Sequence, residues 1–277
     1  MKNNEIIELL YRLPPEEHGD YFYDTVDNLL KNHGDTSLLT DRRLKSLSNL
    51  YKKKYNRDIS AGLVPLFEIV DEQSGAISWC YNLSKYHPYQ RLGLKNRYRI
   101  YRFIDSLDDR KFEALACVIC DMLGAKKTIL TIPGNEGGVD FISSITFTKK
   151  AHYLFGIKGP LRIIGQCKKH SSKAKVSHIK EFITTMDQVY NWSYRMGNIL
   201  PLWFKECGGY IIPWYISHMG YQSGALDLAK NYGIITSDVN EIVEILVKSK
   251  TLHHEPNIEH TLNALLENYL KYSVDTT

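Results

Sequence analysis

Nowhere does this chain run apolar for long. Its longest clean apolar stretch, Tyr210 to Ile216, contains Pro213 and falls far short of the ~20 residues a membrane helix needs. No transmembrane segment is therefore expected. The N-terminus lacks the basic region and apolar stretch of a secretory leader, because Glu5, Glu8 and Arg12 interrupt it, so a cytoplasmic location is the expectation. Cysteine is scarce: Cys80, Cys117, Cys120, Cys167 and Cys207 are odd in number and scattered, which excludes a disulfide scaffold and suits a reducing compartment. There is neither an internal repeat nor a low-complexity tract. A composition 43% hydrophobic and 24% charged belongs to a chain that packs a core, not to a collagenous or disordered one. At 277 residues, two domains are the starting expectation.

The net charge of +4 is too mild to name a partner, but its distribution is uneven. Residues 1–30 carry Lys2 and Arg12 against seven acids, whereas residues 41–60 carry seven basic residues against Asp41 and Asp58. Between Asp140 and Glu181 there is no acid at all, while Lys149, Lys150, Lys158, Arg162, Lys168, Lys169, Lys173, Lys175 and Lys180 fall there. Such a pattern suggests a polyanion as partner. Lys52, Lys53, Lys54 and Arg57, with Lys169, Lys173 and Lys175, are the candidate residues for binding it. For the first four, a merely solvated helix face is an equal reading.

The opening 105 residues read as helices followed by a hairpin: amphipathic spacing from Tyr21 to Leu30, a second run from Leu38 to Tyr55, then LVPLFEIV and AISWCYNL around EQSG. That is the order of a winged helix. Residues 88–105 form a candidate linker helix. From Ser106 or Asp108 a capped helix runs to Gly124, with Phe112, Leu115, Ala116, Ile119 and Leu123 spaced to bury one face. KKTILTI, GGVDFISSITF, AHYLFGI and LRIIGQCKK then read as strands, and Val176 to Trp192 as a helix of 3.6 period. A buried strand GYIIPWYI, a helix SGALDLAKNYG, a short strand IITS and a helix VNEIVEILVKS follow, with a last amphipathic helix at 260–271. Strands alternating with helices imply parallel pairing in a sheet covered on both faces. The expected fold is therefore α/β from residue 106 to 277, preceded by a mainly helical, winged-helix-like domain at 1–105.

The chemistry concentrates between Gly134 and Lys169. Glycines at 134, 137 and 138 precede a strand that begins at Asp140. On the later strand Gln166 and Lys168, two apart, project from one face while Cys167 points to the other. CxxC at Cys117 and Cys120 lacks the second pair that a zinc site needs and falls in an apolar helix, so core packing is expected. His253 and His254 are adjacent and point apart, as surface histidines do. Tyr210, Tyr215 and Tyr232 fall in elements expected to be core.

Four successive pieces then make the chain from about Lys111 to Ser249 recognisable: KFEALACVICDMLGAKKT, GNEGGVDF, QCK and YQSGALDLAKNYGIITSDVNEIVEIL. In this order they resemble the Mrr-like catalytic domain, the restriction-endonuclease branch of the PD-(D/E)xK nuclease superfamily. The resemblance implies a restriction-endonuclease-like core, a mixed central sheet flanked by helices. It implies Mg²⁺, with Mn²⁺ as substitute, held by Asp140 and by Gln166, which stands in the place of a second carboxylate. Lys168 would hold or polarise the attacking water and offset transition-state charge, or act as base. Glu113 and Glu136 are the acids within these pieces that could complete the site. The family usually has Asp at the place of Glu136. The 25 residues between Asp140 and Gln166 exceed a plain strand connection, so KKAHYLFGIKGP reads as an insertion.

The implied function is a metal-dependent DNA endonuclease in restriction or antiviral defence against foreign or modified DNA, without a membrane partner. Cutting both strands calls for a homodimer or for two chains meeting on DNA, and a partner ATPase or another defence subunit is an open expectation. A junction-resolving nuclease and a non-catalytic DNA-binding subunit are the competing readings.

Overall fold

The computed structural model describes residues 1–133, 137–146, 159–249, 252 and 257–272. The chain divides into two compact units. One comprises Met1–Arg102 with Val247–Ile258, the other Phe103–Leu246 with Glu259–Thr277.

In the first unit, α1 (Asn3–Leu10), α2 (Phe22–Asn32) and α3 (Asp41–Ser60) precede an antiparallel hairpin of β1 (Phe67–Asp71) and β2 (Ala76–Trp79). An antiparallel bridge between Tyr21 and Ala76 adds a one-residue third strand ahead of α2, giving the element order of a winged helix. The hydroxyl of Thr40 caps α3 by accepting from the Arg43 N–H. Leu47 and Tyr51 turn inward from α3 and join Ile6, Leu10, Phe22, Val26, Leu29 and Phe67 in one apolar core. Tyr51 locks α3 to β1: its ring stacks on Phe67 at 3.9 Å, and its hydroxyl donates to the Phe67 carbonyl at 2.6 Å while accepting from the Phe67 N–H at 2.9 Å. The buried Asp58 carboxylate accepts from the Tyr11 hydroxyl and is paired with Lys54, which offsets the cost of burying its charge. Next comes α4 (Pro88–Ser106), inside which the division between the units falls.

The second unit is built on a mixed five-stranded sheet of order β3-β4-β5-β6-β7. The strands are β3 (Ala125–Leu130), β4 (Phe141–Ile145), β5 (Leu161–Lys168), β6 (Ile211–Ser217) and β7 (Ile235–Asp238). The first three pair antiparallel, and β5-β6 and β6-β7 pair parallel. Helix α5 (Asp109–Met122), capped by Asp108 accepting from the Lys111 N–H, packs on β3, β4 and β5. On the other face α6 (Val176–Tyr190) presents Ile179, Phe182, Met186 and Val189 to a core containing Ile142, Ile164 and Tyr215. The remaining helices are α7 (Tyr194–Ile199), α8 (Leu202–Glu206), α9 (Ser223–Asn231), α10 (Val239–Lys248) and α11 (Ile258–Tyr272).

Sheet packing is tight at one glycine. A Cβ on Gly165 would lie 2.0 Å from the Phe141 ring, so only glycine lets Phe141 cross β5 and meet Trp214 edge-on. Cys117, Cys120 and Cys167 are buried free thiols. Two of the tyrosines expected in the core are exposed: Tyr210 precedes β6 and Tyr232 is the C-cap of α9. Terminal positions of an element lack neighbours to cover them. Tyr215, in mid-strand, is fully buried.

Candidate active site

Asp140 occupies the residue before β4 and is buried. Its N–H donates to the Gly165 carbonyl at 2.9 Å, and its Oδ2 accepts from the Cys167 N–H at 2.6 Å. The backbone behind it is held from the other side, where the Thr131 N–H and hydroxyl both donate to the Asp140 carbonyl. A main-chain donor fixes the direction in which the carboxylate points.

Gln166 and Lys168 follow on β5, on either side of Cys167. The backbone pairing of β5 with β6 sets Gln166 beside Tyr215 and Lys168 beside Ser217. Because parallel partners share a face, Gln166, Lys168 and Tyr215 lie on the α6 side, and Cys167 lies on the α5 side. The charge of Asp140 reaches both sides. Burial, then Asp140, then Glu113 push the Cys167 thiol well up from its ordinary pKa. Burial, then Asp140 and Glu181, push the Tyr215 hydroxyl up in the same way.

Glu113 sits on α5, ion-paired with Arg110 at 2.8 Å, and Arg110 also donates to the Thr131 carbonyl. The backbone register thus sets Asp140, before β4, next to the Gln166–Lys168 end of β5, and Glu113 lies on α5, the helix packed on β3, β4 and β5. Glu136 lies outside the described residues, as do His253, His254 and the strand expected at AHYLFGI.

The candidate DNA-binding residues separate by environment. Lys53 and Arg57 are exposed one turn apart on α3, and Lys173 and Lys175 are exposed in the segment ahead of α6. Lys52 pairs with Glu72 at 2.6 Å. Lys54 is turned inward, 4.2 Å from the centre of the Tyr11 ring and paired with Asp58. The Lys169 ammonium donates to the carbonyls of Asp105 and Leu107, tying the end of β5 to the turn before α5. A run of like charges in sequence therefore resolves into exposed cations and structural ones. Arg42 and Lys45, not singled out from the sequence, extend the exposed basic face of α3. Their helical spacing to Lys53 was the available signal.

Among the described residues no group of three or more His, Cys, Asp or Glu stands together to hold a metal ion. The metal-ligating side chains at neighbouring strand positions carry oxygens, the Asp140 carboxylate and the Gln166 amide. They fit a hard divalent cation such as Mg²⁺, which keeps several waters and takes one or two protein carboxylates plus substrate phosphate.

Residues 104–196 match the Mrr_cat restriction endonuclease family model. The Mrr_cat match takes in Glu113, Asp140, Gln166 and Lys168, and stops short of Tyr215. Comparison with curated proteins returns no match. Among solved structures, the chain is similar to the MspJI restriction endonuclease in complex with a 27-mer oligonucleotide, at 17% identity and a TM-score of 0.37, over 65% of this chain and 36% of that one. It is also similar to the DNA modification-dependent restriction endonuclease AspBHI, at 16% identity and a TM-score of 0.40, over 79% of this chain and 48% of that one. The chain spans less than half the length of either.

Proposed function

We propose that this chain is a metal-dependent DNA endonuclease that hydrolyses phosphodiester bonds in defence against foreign or modified DNA. The observation that carries this reading is the Asp140 carboxylate bonded across to the backbone between Gln166 and Lys168, inside the segment that matches the restriction endonuclease family.

Asp140 and Gln166 would hold Mg²⁺, for which Mn²⁺ can substitute. Bound there, the ion supplies neutralisation of the phosphate and a more acidic water. Lys168 offers its ammonium to the charge that builds on the phosphoryl oxygens in the transition state. The buried main-chain bond at Asp140 holds the carboxylate in place before substrate arrives, so little reorganisation is needed during reaction. In the first unit, the exposed face of α3 with Arg42, Lys45, Lys53 and Arg57 engages the phosphate backbone. Breaking both strands requires two such sites, on a homodimer or on two chains meeting on DNA.

Asp140→Ala and Lys168→Ala each abolish cleavage of duplex DNA, while binding by gel shift stays within about threefold, because phosphate contacts elsewhere carry most of the affinity. Undiminished cleavage in both variants would contradict the assignment.

A further inference from the structure

Replacing a carboxylate by Gln166 leaves the site one negative charge short, and Glu113 on α5 is ion-paired with Arg110. The α6 side holds another acid. Glu181 is exposed on α6, and four residues on, along the same helical stripe, Thr185 donates to the Gly137 carbonyl at 3.3 Å. Thr185 also seats against Gly138, where a Cβ would meet its hydroxyl at 2.6 Å. Glu181 is thus one turn from the Gly137–Asp140 segment, toward the end of α6 that follows β5.

The second observation is Tyr215. It is 0% exposed, and its hydroxyl is buried with no hydrogen-bond partner among the described residues. Its ring packs on Phe182, the neighbour of Glu181, at 5.5 Å, and its strand position is beside Gln166. The charges of Asp140 and Glu181 both act on this hydroxyl. A buried donor left without an acceptor is costly. One set on the strand beside Gln166, with its ring against the helix that carries Glu181, has its acceptor in what that site holds.

We propose that Glu181 supplies the second acid of the Asp140–Gln166 site, and that the Tyr215 hydroxyl donates to the water shell of the divalent cation held between them. This deepens the nuclease reading and rests on it. No covalent step is added: Glu181 contributes charge and oxygen ligation, and Tyr215 contributes one hydrogen bond.

Calorimetric titration of the full chain with Mn²⁺, without DNA, tests it. E181Q should weaken Mn²⁺ binding tenfold or more, and E181D should recover it to within about threefold. Y215F should weaken binding three- to tenfold without lowering the melting temperature of the metal-free chain, since the hydroxyl it removes has no partner there. Unchanged Mn²⁺ affinity in E181Q, or no Mn²⁺ binding by the wild-type chain, would overturn the role of Glu181. A lower melting temperature in metal-free Y215F would make the hydroxyl structural and remove it from the site. The nuclease reading fails separately, by absence of cleavage in a chain that still binds Mn²⁺.

Discussion

Gly165 is the residue on which the geometry of the site leans most heavily. Its missing side chain lets Phe141 lie across β5, and Phe141 is the immediate neighbour of Asp140. Gly165→Ala forces the ring or the strand to move, an overpacking that costs about 3 kcal/mol and should appear as a lowered urea midpoint with reduced cleavage. An unchanged midpoint would show that the ring has room to yield. His18 gives a pH signature in the first unit. It stacks on Trp79 at 3.4 Å, with one ring nitrogen 2.9 Å from the Tyr81 hydroxyl and the other 3.2 Å from the Leu13 carbonyl. The carbonyl can only accept, so the neutral ring donates there and accepts from Tyr81. Burial lowers the His18 pKa to about 4. The unfolded chain, with an ordinary histidine near 6.5, binds the proton first, so stability is full above pH 6.5 and declines as pH falls toward 4. After discounting for partial exposure, the loss is about 2 kcal/mol. His18→Gln should flatten this decline in urea unfolding at pH 7 and 4.5, and an equal decline in the variant would assign it to the carboxylates.

At the scale of elements, the sequence was most legible where periodicity was long. The 3.6-residue repeat announced α6, and the apolar run with its flanking glycines announced β6, while the caps at Asp108 and Gly124 bounded α5. The eight-residue α1 went unread because its N-cap, Lys2, makes no side-chain cap of its own, and the short α7 and α8 are held by packing rather than by pattern. Charge was legible only as a count. Lys54 and Lys169 belong to basic runs in sequence yet are engaged with Asp58 and with main-chain carbonyls, because partners distant in sequence cannot be read from a run. Glu181 is not singled out by the sequence for the same reason: its link to the Gly137–Asp140 segment runs through Thr185, one turn further along α6. The exposed face of α3 carries a direct prediction. Lys53→Glu with Arg57→Glu should weaken duplex binding at least tenfold at 0.1 M salt and reduce the slope of affinity against salt by about two counterions. An unchanged slope would mean that this face is merely solvated.

Within the second unit, the mixed sheet brings Asp140, Gln166 and Tyr215 together on three neighbouring strands. The antiparallel β3-β4-β5 portion delivers Asp140 to the backbone of β5, and the parallel β5-β6 pair sets Tyr215 beside Gln166. This class of fold was legible from strands that alternate with helices late in the chain. The convergence of residues 27 apart on one hydrogen bond was legible only through the ordered resemblance of four motifs, since neither Asp140 beside glycines nor a Gln-x-Lys strand is specific alone. The most direct measurement is incubation of the full chain with methylated and unmethylated plasmid DNA, in Mg²⁺, in Mn²⁺ and in EDTA, beside Asp140→Ala. The account predicts cutting of at least one template with metal, and none in EDTA or in the variant. Cutting that survives EDTA or the loss of Asp140, or no cutting of either template with either metal, would contradict it.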